Sequence, residues 1–220
     1  EQAKLVAGDP QNRDWFGSEV SIDGDTVAVG AMLEDSEGSN AGAAYIFVRS
    51  GETWSQQAKI VSGEECDSCY FGERLVLQGD TVMIGAAIYP DWGNETGCTY
   101  VFERSGTAWS KTQRLQASDG AQYDNFGRWI ALDGDTAVIS SYRDDDNGSE
   151  SGSAYVFARI DGVWVEQSKL LAPDGTAGDH FGNSLDLSDG VLAVGAPWVD
   201  ALGEDSGSAY IFGADEPLSL

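Results

Sequence analysis

Short runs in which apolar and polar residues alternate, separated by clusters of glycine, aspartate and serine, extend along the whole chain. Alternation puts successive side chains on opposite faces of an extended strand. Residues 17–22 therefore read as one strand, and Asp23-Gly24-Asp25 turns the chain back into a second at 26–31. A loop rich in glycine, aspartate and serine leads to a third, "AAYIFV" at 43–48, and Ser50-Gly51 turns it into a fourth, "WSQQAKIV" at 54–61. Gly24 and Gly51 suit these turns because glycine accepts a positive φ without a Cβ clash. No segment carries a convincing helical period.

The pattern repeats. Phe16-Gly17, Phe71-Gly72, Phe126-Gly127 and Phe181-Gly182 are each 55 residues apart, and the same interval relates Tyr45, Tyr100, Tyr155 and Tyr210. Gly30, Gly85, Ser140 and Gly195 keep it too, as do Gly42, Gly97, Gly152 and Gly207. Four repeats, 1–55, 56–110, 111–165 and 166–220, fill the chain without insertion. Apolar columns follow the same register: Val20, Leu75, Ile130 and Leu185 on the first strand, Val29, Ile84, Ile139 and Val194 on the second, and Phe47, Phe102, Phe157 and Phe212 on the third. All read as core positions. A recurring four-stranded antiparallel unit of this length predicts propeller blades rather than a sandwich, because each blade buries its faces only against its neighbours. The expected architecture is a single all-β domain over 1–220, a β-propeller of four four-stranded blades.

Phe-Gly, an apolar strand, Gly-Ala-Pro (complete only at Gly195-Ala196-Pro197) and then "GSAYIF" resemble the FG-GAP repeat, the blade unit of integrin α-chain propellers and of many bacterial surface proteins. The resemblance covers the whole chain and implies a β-propeller that binds rather than catalyses. It also implies that the loops joining strand four to strand one and strand two to strand three share one face. The integrin-type calcium loop D-x-D-G-D-G-x-x-D is not matched. It is shortened to Asp23-Gly24-Asp25, Gln78-Gly79-Asp80, Asp133-Gly134-Asp135 and Ser188-Asp189-Gly190, which leaves too few oxygens for calcium there.

The first residues, "EQAKLV", match "QQAKIV" and "EQSKLL", so the chain opens inside a fourth strand, which is expected to complete the blade ending in "SAYIF". Closure within one chain removes an exposed edge. Donation to a neighbouring molecule instead builds oligomers or filaments by strand addition.

Charge narrows the partners. With 37 acidic and 12 basic residues the formal charge is −25, which repels nucleic acid and anionic membrane surfaces. No apolar run is long enough for a membrane helix. The acidity suits salty or extracellular surroundings, and the absence of a signal-like segment fits a processed, secreted or cell-surface product. Of the three cysteines, Cys66 and Cys69 form a C-x-x-C expected to be a local disulfide, and Cys98 is left over.

Candidate chemistry gathers on the loop-rich face. Asp9, Glu64, Asp119 and Asp174 form one acidic column, and Asp14, Cys69, Asp124 and Asp179 precede the Phe-Gly; Asp35, Asp145 and Asp200 follow the second strand. Carboxylates converging near the axis, with Asp14, Asp124, Asp179, Asp35, Asp145 and Asp200 as candidates, would hold a hard cation such as calcium. Aspartates that each cap their own loop by accepting backbone N–H bonds are the alternative. Trp15, Tyr70, Tyr89, Trp92, Tyr142 and Trp198, with the lone His180, are candidates for ligand recognition, with sugar stacking the most concrete form; the competing reading is packing between blades. No nucleophile motif is present, so the chain is expected not to be an enzyme. The expected function is a binding or adhesion module for a glycan or protein ligand, and the alternative is a structural subunit that self-associates by strand exchange.

Overall fold

A computed structural model describes residues 2–64, 67–87 and 96–213. Four antiparallel sheets follow one another along the chain. Blade 1 is β1 (Phe16–Asp23), β2 (Thr26–Ala31), β3 (Ala43–Ser50) and β4 (Thr53–Ile60), in that order across the sheet. Blade 2 is β5 (Arg74–Gln78), β6 (Thr81–Ala86), β7 (Cys98–Ser105) and β8 (Ala108–Leu115). Blade 3 is β9 (Ile130–Asp133), β10 (Thr136–Ser141), β11 (Ser153–Ile160) and β12 (Val163–Leu170). Blade 4 is β13 (Ser184–Ser188), β14 (Val191–Ala196) and β15 (Ser208–Phe212). There is no helix among the described residues, and the fold class is the all-β class of propeller blades. The described residues form two compact units, one holding blades 1 and 2 and the other blades 3 and 4.

The Phe-Gly pair has a specific backbone task. In blade 1 Phe16 pairs with Ala31 and Val20 with Val29, so the intervening residues bulge out of register. The residue before each Phe is left-handed, with φ of 53° at Trp15, 54° at Tyr70, 58° at Asn125 and 54° at His180, and the following glycines lie at 93°, 89°, 93° and 89°. A turn closes over the bulge, with the N–H of Ser18 donating to Trp15 O (3.0 Å) and that of Asn183 to His180 O (3.1 Å). This kink drops the phenyl ring into the blade: Phe71, Phe126 and Phe181 are fully buried. Phe181 meets Tyr210 and Phe212 edge-on, at 5.4 and 6.0 Å between centroids.

A bulky residue in the left-handed region carries strain of about 1 kcal/mol or more, and asparagine tolerates that region best among non-glycine residues. Trp15 is also largely exposed. Trp15→Asn is therefore expected to raise stability by about 0.5–1 kcal/mol in a urea melt.

Within each unit one blade packs on the next through opposite sheet faces. Ala131, Val138, Ala154 and Val156 of blade 3 form one cluster with Phe181, Leu187, Leu192 and Val194 of blade 4. Backbone bonds fix the junctions: Phe71 N–H donates to Ala41 O (2.9 Å) and Phe181 N–H to Ser151 O (2.8 Å). On the opposite edge Leu77 N–H reaches Ser21 Oγ (3.0 Å) and Gly79 N–H reaches Asp23 Oδ2 (2.7 Å).

Two expectations change. Val20, expected in the core, is exposed. Residues 2–7, expected as the fourth strand of the last blade, form no strand, and blade 4 has three strands among the described residues. Leu5 and Ala7 pack instead against Tyr45, Phe47 and Val29 of blade 1.

Candidate functional site

Loops 2→3 and 4→1 meet at one edge of each unit. Ser68 N–H donates to Ser39 O (2.7 Å) in the first, and Gly178 N–H to Ser149 O (2.8 Å) in the second. Asn147 Nδ2 adds a bond to Ala172 O (3.1 Å).

The aspartates on this edge are engaged with their own loops. Asp14, Asp124 and Asp179 are buried, and an Oδ2 of each accepts the N–H three residues earlier: Gln11 (2.7 Å), Ala121 (2.6 Å) and Thr176 (2.6 Å). Asp35, Asp145 and Asp200 do the same five residues forward, accepting from Asn40 (2.7 Å), Glu150 (2.7 Å) and Asp205 (2.8 Å). Each is a loop cap, and among the described residues no three acidic, histidine or cysteine side chains gather where a metal ion could sit. This donor arrangement does not fit a shared calcium. In the second repeat the column residue is Cys69, which is disulfide-bonded. Its expected partner Cys66 lies outside the described residues, and Cys98 is a buried thiol.

Burial, reinforced by the charges of Asp144 and Asp145, pushes the Asp124 carboxyl up to about 6 against the bond from Ala121. A carboxyl raised in the folded state binds protons that the unfolded chain releases, so its contribution to stability falls as pH rises from about 4 to about 6. Asp124→Asn keeps an acceptor for the Ala121 N–H and removes the buried charge. After screening, the variant is expected to be about 1 kcal/mol more stable than wild type at pH 7 and no more stable near pH 4, in paired urea melts.

The structure brings three of the aromatic candidates together in the second unit. His180 lies between Tyr142 (5.4 Å) and Trp198 (4.4 Å), ring centroid to ring centroid. Its Nε2 is 3.2 Å from Glu150 Oε2, Arg143 is 3.6 Å from the other oxygen of that carboxylate, and the Arg143 guanidinium stands 5.4 Å from the Tyr142 ring. Burial lowers the imidazole below its ordinary value despite Glu150, so the ring is neutral at pH 7. Trp198 presents 42% of its surface to solvent. Trp15 instead borders a cavity of about 350 Å³ lined by Val6, Pro10, Arg13 and Phe16. Tyr70 is half-buried, with its N–H on Asn40 O (3.2 Å). Tyr89 and Trp92 lie outside the described residues.

The acidic column Asp9, Glu64, Asp119 and Asp174 and the tyrosine column prove to be one device. Each tyrosine hydroxyl donates to the carboxylate 36 residues earlier: Tyr45 to Asp9 (2.9 Å), Tyr100 to Glu64 (2.9 Å), Tyr155 to Asp119 (2.7 Å) and Tyr210 to Asp174 (2.8 Å). A lysine from the fourth strand joins in three blades. Lys59 spans Asp9 (2.6 Å) and the buried Glu34 (3.0 Å), Lys169 spans Asp119 (2.9 Å) and the buried Asp144 (2.8 Å), and Lys111 reaches Glu64 (3.1 Å). The signal was present, since Lys59 and Lys169 keep the repeat interval with the other two columns. Residue 114 is an arginine, and Lys111, three places earlier, takes the role in blade 2, which hid the correspondence.

A family model described as the FG-GAP repeat matches residues 1–47, 54–102, 109–157 and 164–212, each span ending two strands beyond its Phe-Gly bulge. The chain belongs to the FG-GAP repeat family. No curated protein matches it. An FG-GAP blade built this way is a binding scaffold in general terms, since ordered sheets hold variable loops at one edge.

Proposed function

We propose that this FG-GAP protein is a non-catalytic, extracellular or cell-surface binding module that recognises a glycan or protein ligand through its loop edge, with Tyr142, His180 and Trp198 as the recognition surface. The observation that carries the reading is the half-exposed Trp198 indole tilted at 60° against a neutral imidazole, with Arg143 and Glu150 fixed beside it. An apolar ring flanked by positioned polar groups suits a ligand with one apolar and one hydrogen-bonding face, as a pyranose has. The disulfide at Cys69 and the charge of −25 support an oxidising, extracellular setting.

Trp198→Ala is expected to weaken binding on a panel of immobilised glycans and candidate protein ligands at least about tenfold, as loss of a recognition aromatic does, while stability changes by less than about 1 kcal/mol. Unaltered binding with an unaltered melt would remove Trp198 from the site.

A further inference from the structure

The junction of blades 3 and 4 carries charges that the matching junction of blades 1 and 2 does without. Both are closed by the same backbone bonds: Tyr70 N–H donates to Asn40 O and His180 N–H to Glu150 O, each at 3.2 Å, while Phe71 N–H donates to Ala41 O and Phe181 N–H to Ser151 O. Two repeats separate the members of each pair, so Met32, Leu33, Asn40 and Tyr70 stand where Tyr142, Arg143, Glu150 and His180 stand. The same backbone frame forms around a leucine and an asparagine, so the charges of Arg143 and Glu150 are not needed to hold the blades together. They are free to serve a ligand.

The state of Arg143 points the same way. Arg49 and Arg104 also lie on aromatic rings, Trp54 at 5.5 Å and Trp109 at 5.3 Å, and each uses its Nε on an aspartate, Asp25 at 2.7 Å and Asp80 at 2.6 Å. Arg143 lies on Tyr142 at 5.4 Å, but its Nε has no hydrogen-bond partner among the described residues and stands 3.6 Å from Glu150 Oε1, too far for a bond. The guanidinium is held by ring and charge, on a side chain still 32% exposed. His180 Nε2 takes Glu150 Oε2 at 3.2 Å and leaves Oε1 as an open acceptor among the described residues, on a side chain 44% exposed. A fork of donors and a carboxylate oxygen thus sit side by side, neither saturated.

Resting on the reading of Tyr142, His180 and Trp198 as the recognition surface, we propose that Arg143 and Glu150 bind an adjacent pair of hydroxyls on a neutral pyranose and so select neutral sugars over acidic and basic ones. A hydroxyl both donates and accepts, so one of the pair accepts from the guanidinium while its neighbour donates to Glu150 Oε1. The charges strengthen both bonds relative to neutral partners. His180 links this pair to the aromatic surface, since its ring lies 4.4 Å from Trp198 and its Nε2 meets Glu150. The apolar face of the sugar then rests on the indole and its hydroxyl edge on the ion pair. Charge decides against other sugars. Arg143 is matched by Glu150, Asp145 Oδ1 accepts the Glu150 N–H (2.7 Å), and the charge of Asp179 acts on the His180 ring, so a uronate meets no excess of positive charge. An amino sugar meets the Arg143 guanidinium instead.

The test is surface-plasmon titration of the 220-residue chain over immobilised neutral pyranosides with adjacent free hydroxyls, their O-methylated counterparts, uronic acids and amino sugars, in low and high salt. Wild type should bind the neutral sugars at least about tenfold more tightly than each of the other three, with a dissociation constant that does not move with salt. Arg143→Leu and Glu150→Asn copy Leu33 and Asn40 of the other junction, and Asn40 holds a φ of 53° where Glu150 holds 54°. Each variant should therefore keep the wild-type melt while weakening neutral-sugar binding about tenfold. A preference for a uronic acid or an amino sugar, indifference to O-methylation, or wild-type affinity in both variants overturns this inference; if such binding is still lost in Trp198→Ala, the recognition surface itself stands. Binding of no pyranoside overturns the inference as well, and binding that Trp198→Ala leaves intact overturns the recognition surface with it.

Discussion

Gly152→Ala should be among the most damaging small substitutions in the protein, costing about 4 kcal/mol or more, while Gly134→Ala should cost about 1 kcal/mol. Both glycines are left-handed, with φ of 85° at Gly152 and 57° at Gly134, so both lose the same conformational freedom when a Cβ is added. Their surroundings differ. A Cβ on Gly134 meets nothing within 4 Å, whereas one on Gly152 would lie 2.6 Å from the amide nitrogen of Phe181 and 2.9 Å from its carbonyl carbon. Those are backbone atoms of the neighbouring blade and cannot rotate away. The substitution therefore wedges the two blades apart and breaks the Phe181 N–H bond to Ser151 O on which the junction depends. Urea melts of the two variants beside wild type measure the difference, and equal losses would mean that the blades yield without cost.

This pair also shows what the sequence conveys and what it withholds. The 55-residue interval marks Gly42, Gly97, Gly152 and Gly207 as equivalent, and the four strands of blade 1 fall within two residues of the alternation pattern. Period-2 patterning and turn residues are local signals, so they survive in one dimension. The interval does not say that Gly42 and Gly152 face a backbone, whereas Gly207 meets the Pro197 carbonyl of its own blade no closer than 3.1 Å. Tertiary surroundings decide that, and the same holds for Val20, whose column is apolar but whose side chain is exposed. At the loop edge the acidic columns leave cation ligands and loop caps both open, because composition does not record where an oxygen points. The Asp-to-amide bonds at Asp14, Asp124 and Asp179 settle how those oxygens are used. His180, which departs from its column in type, does lie at the aromatic cluster.

Lys169→Met should cost about 3 kcal/mol at pH 7, and Lys111→Met less than about 1 kcal/mol, although both lysines serve the same tyrosine–carboxylate device. Lys169 contacts three carboxylates, Asp119 (2.9 Å), Asp144 (2.8 Å) and Asp146 (2.7 Å), and Asp144 is almost wholly buried. Removing the ammonium leaves that charge in a site from which water is largely excluded, and the Tyr155 hydroxyl, 3.1 Å away, has its one proton shared with Asp119, 2.7 Å away. Among the described residues Lys111 pairs with the carboxylate of Glu64, both side chains more than a third exposed, and solvent replaces the lost partner. The pH dependence separates this account from a simple loss of packing. Burial raises the Asp119 carboxyl, but the bonds from Lys169 and Tyr155 outweigh it and leave the group below its ordinary value. A depressed carboxyl contributes stability that is present above its unfolded value near 3.8 and lost as pH falls through the folded one. Burial lowers the Lys169 ammonium, but the bonds to Asp144, Asp146 and Asp119 reverse it and raise the group, so its contribution persists up to its unfolded value of 10.5 and is lost only as pH rises through the folded one. The gap between wild type and Lys169→Met should therefore stay level from pH 6 to about 9 and narrow below about pH 4, as the Asp119 carboxyl is protonated in both proteins. A gap unchanged down to pH 3 would assign the loss to the buried methylenes of the lysine stem rather than to its charge.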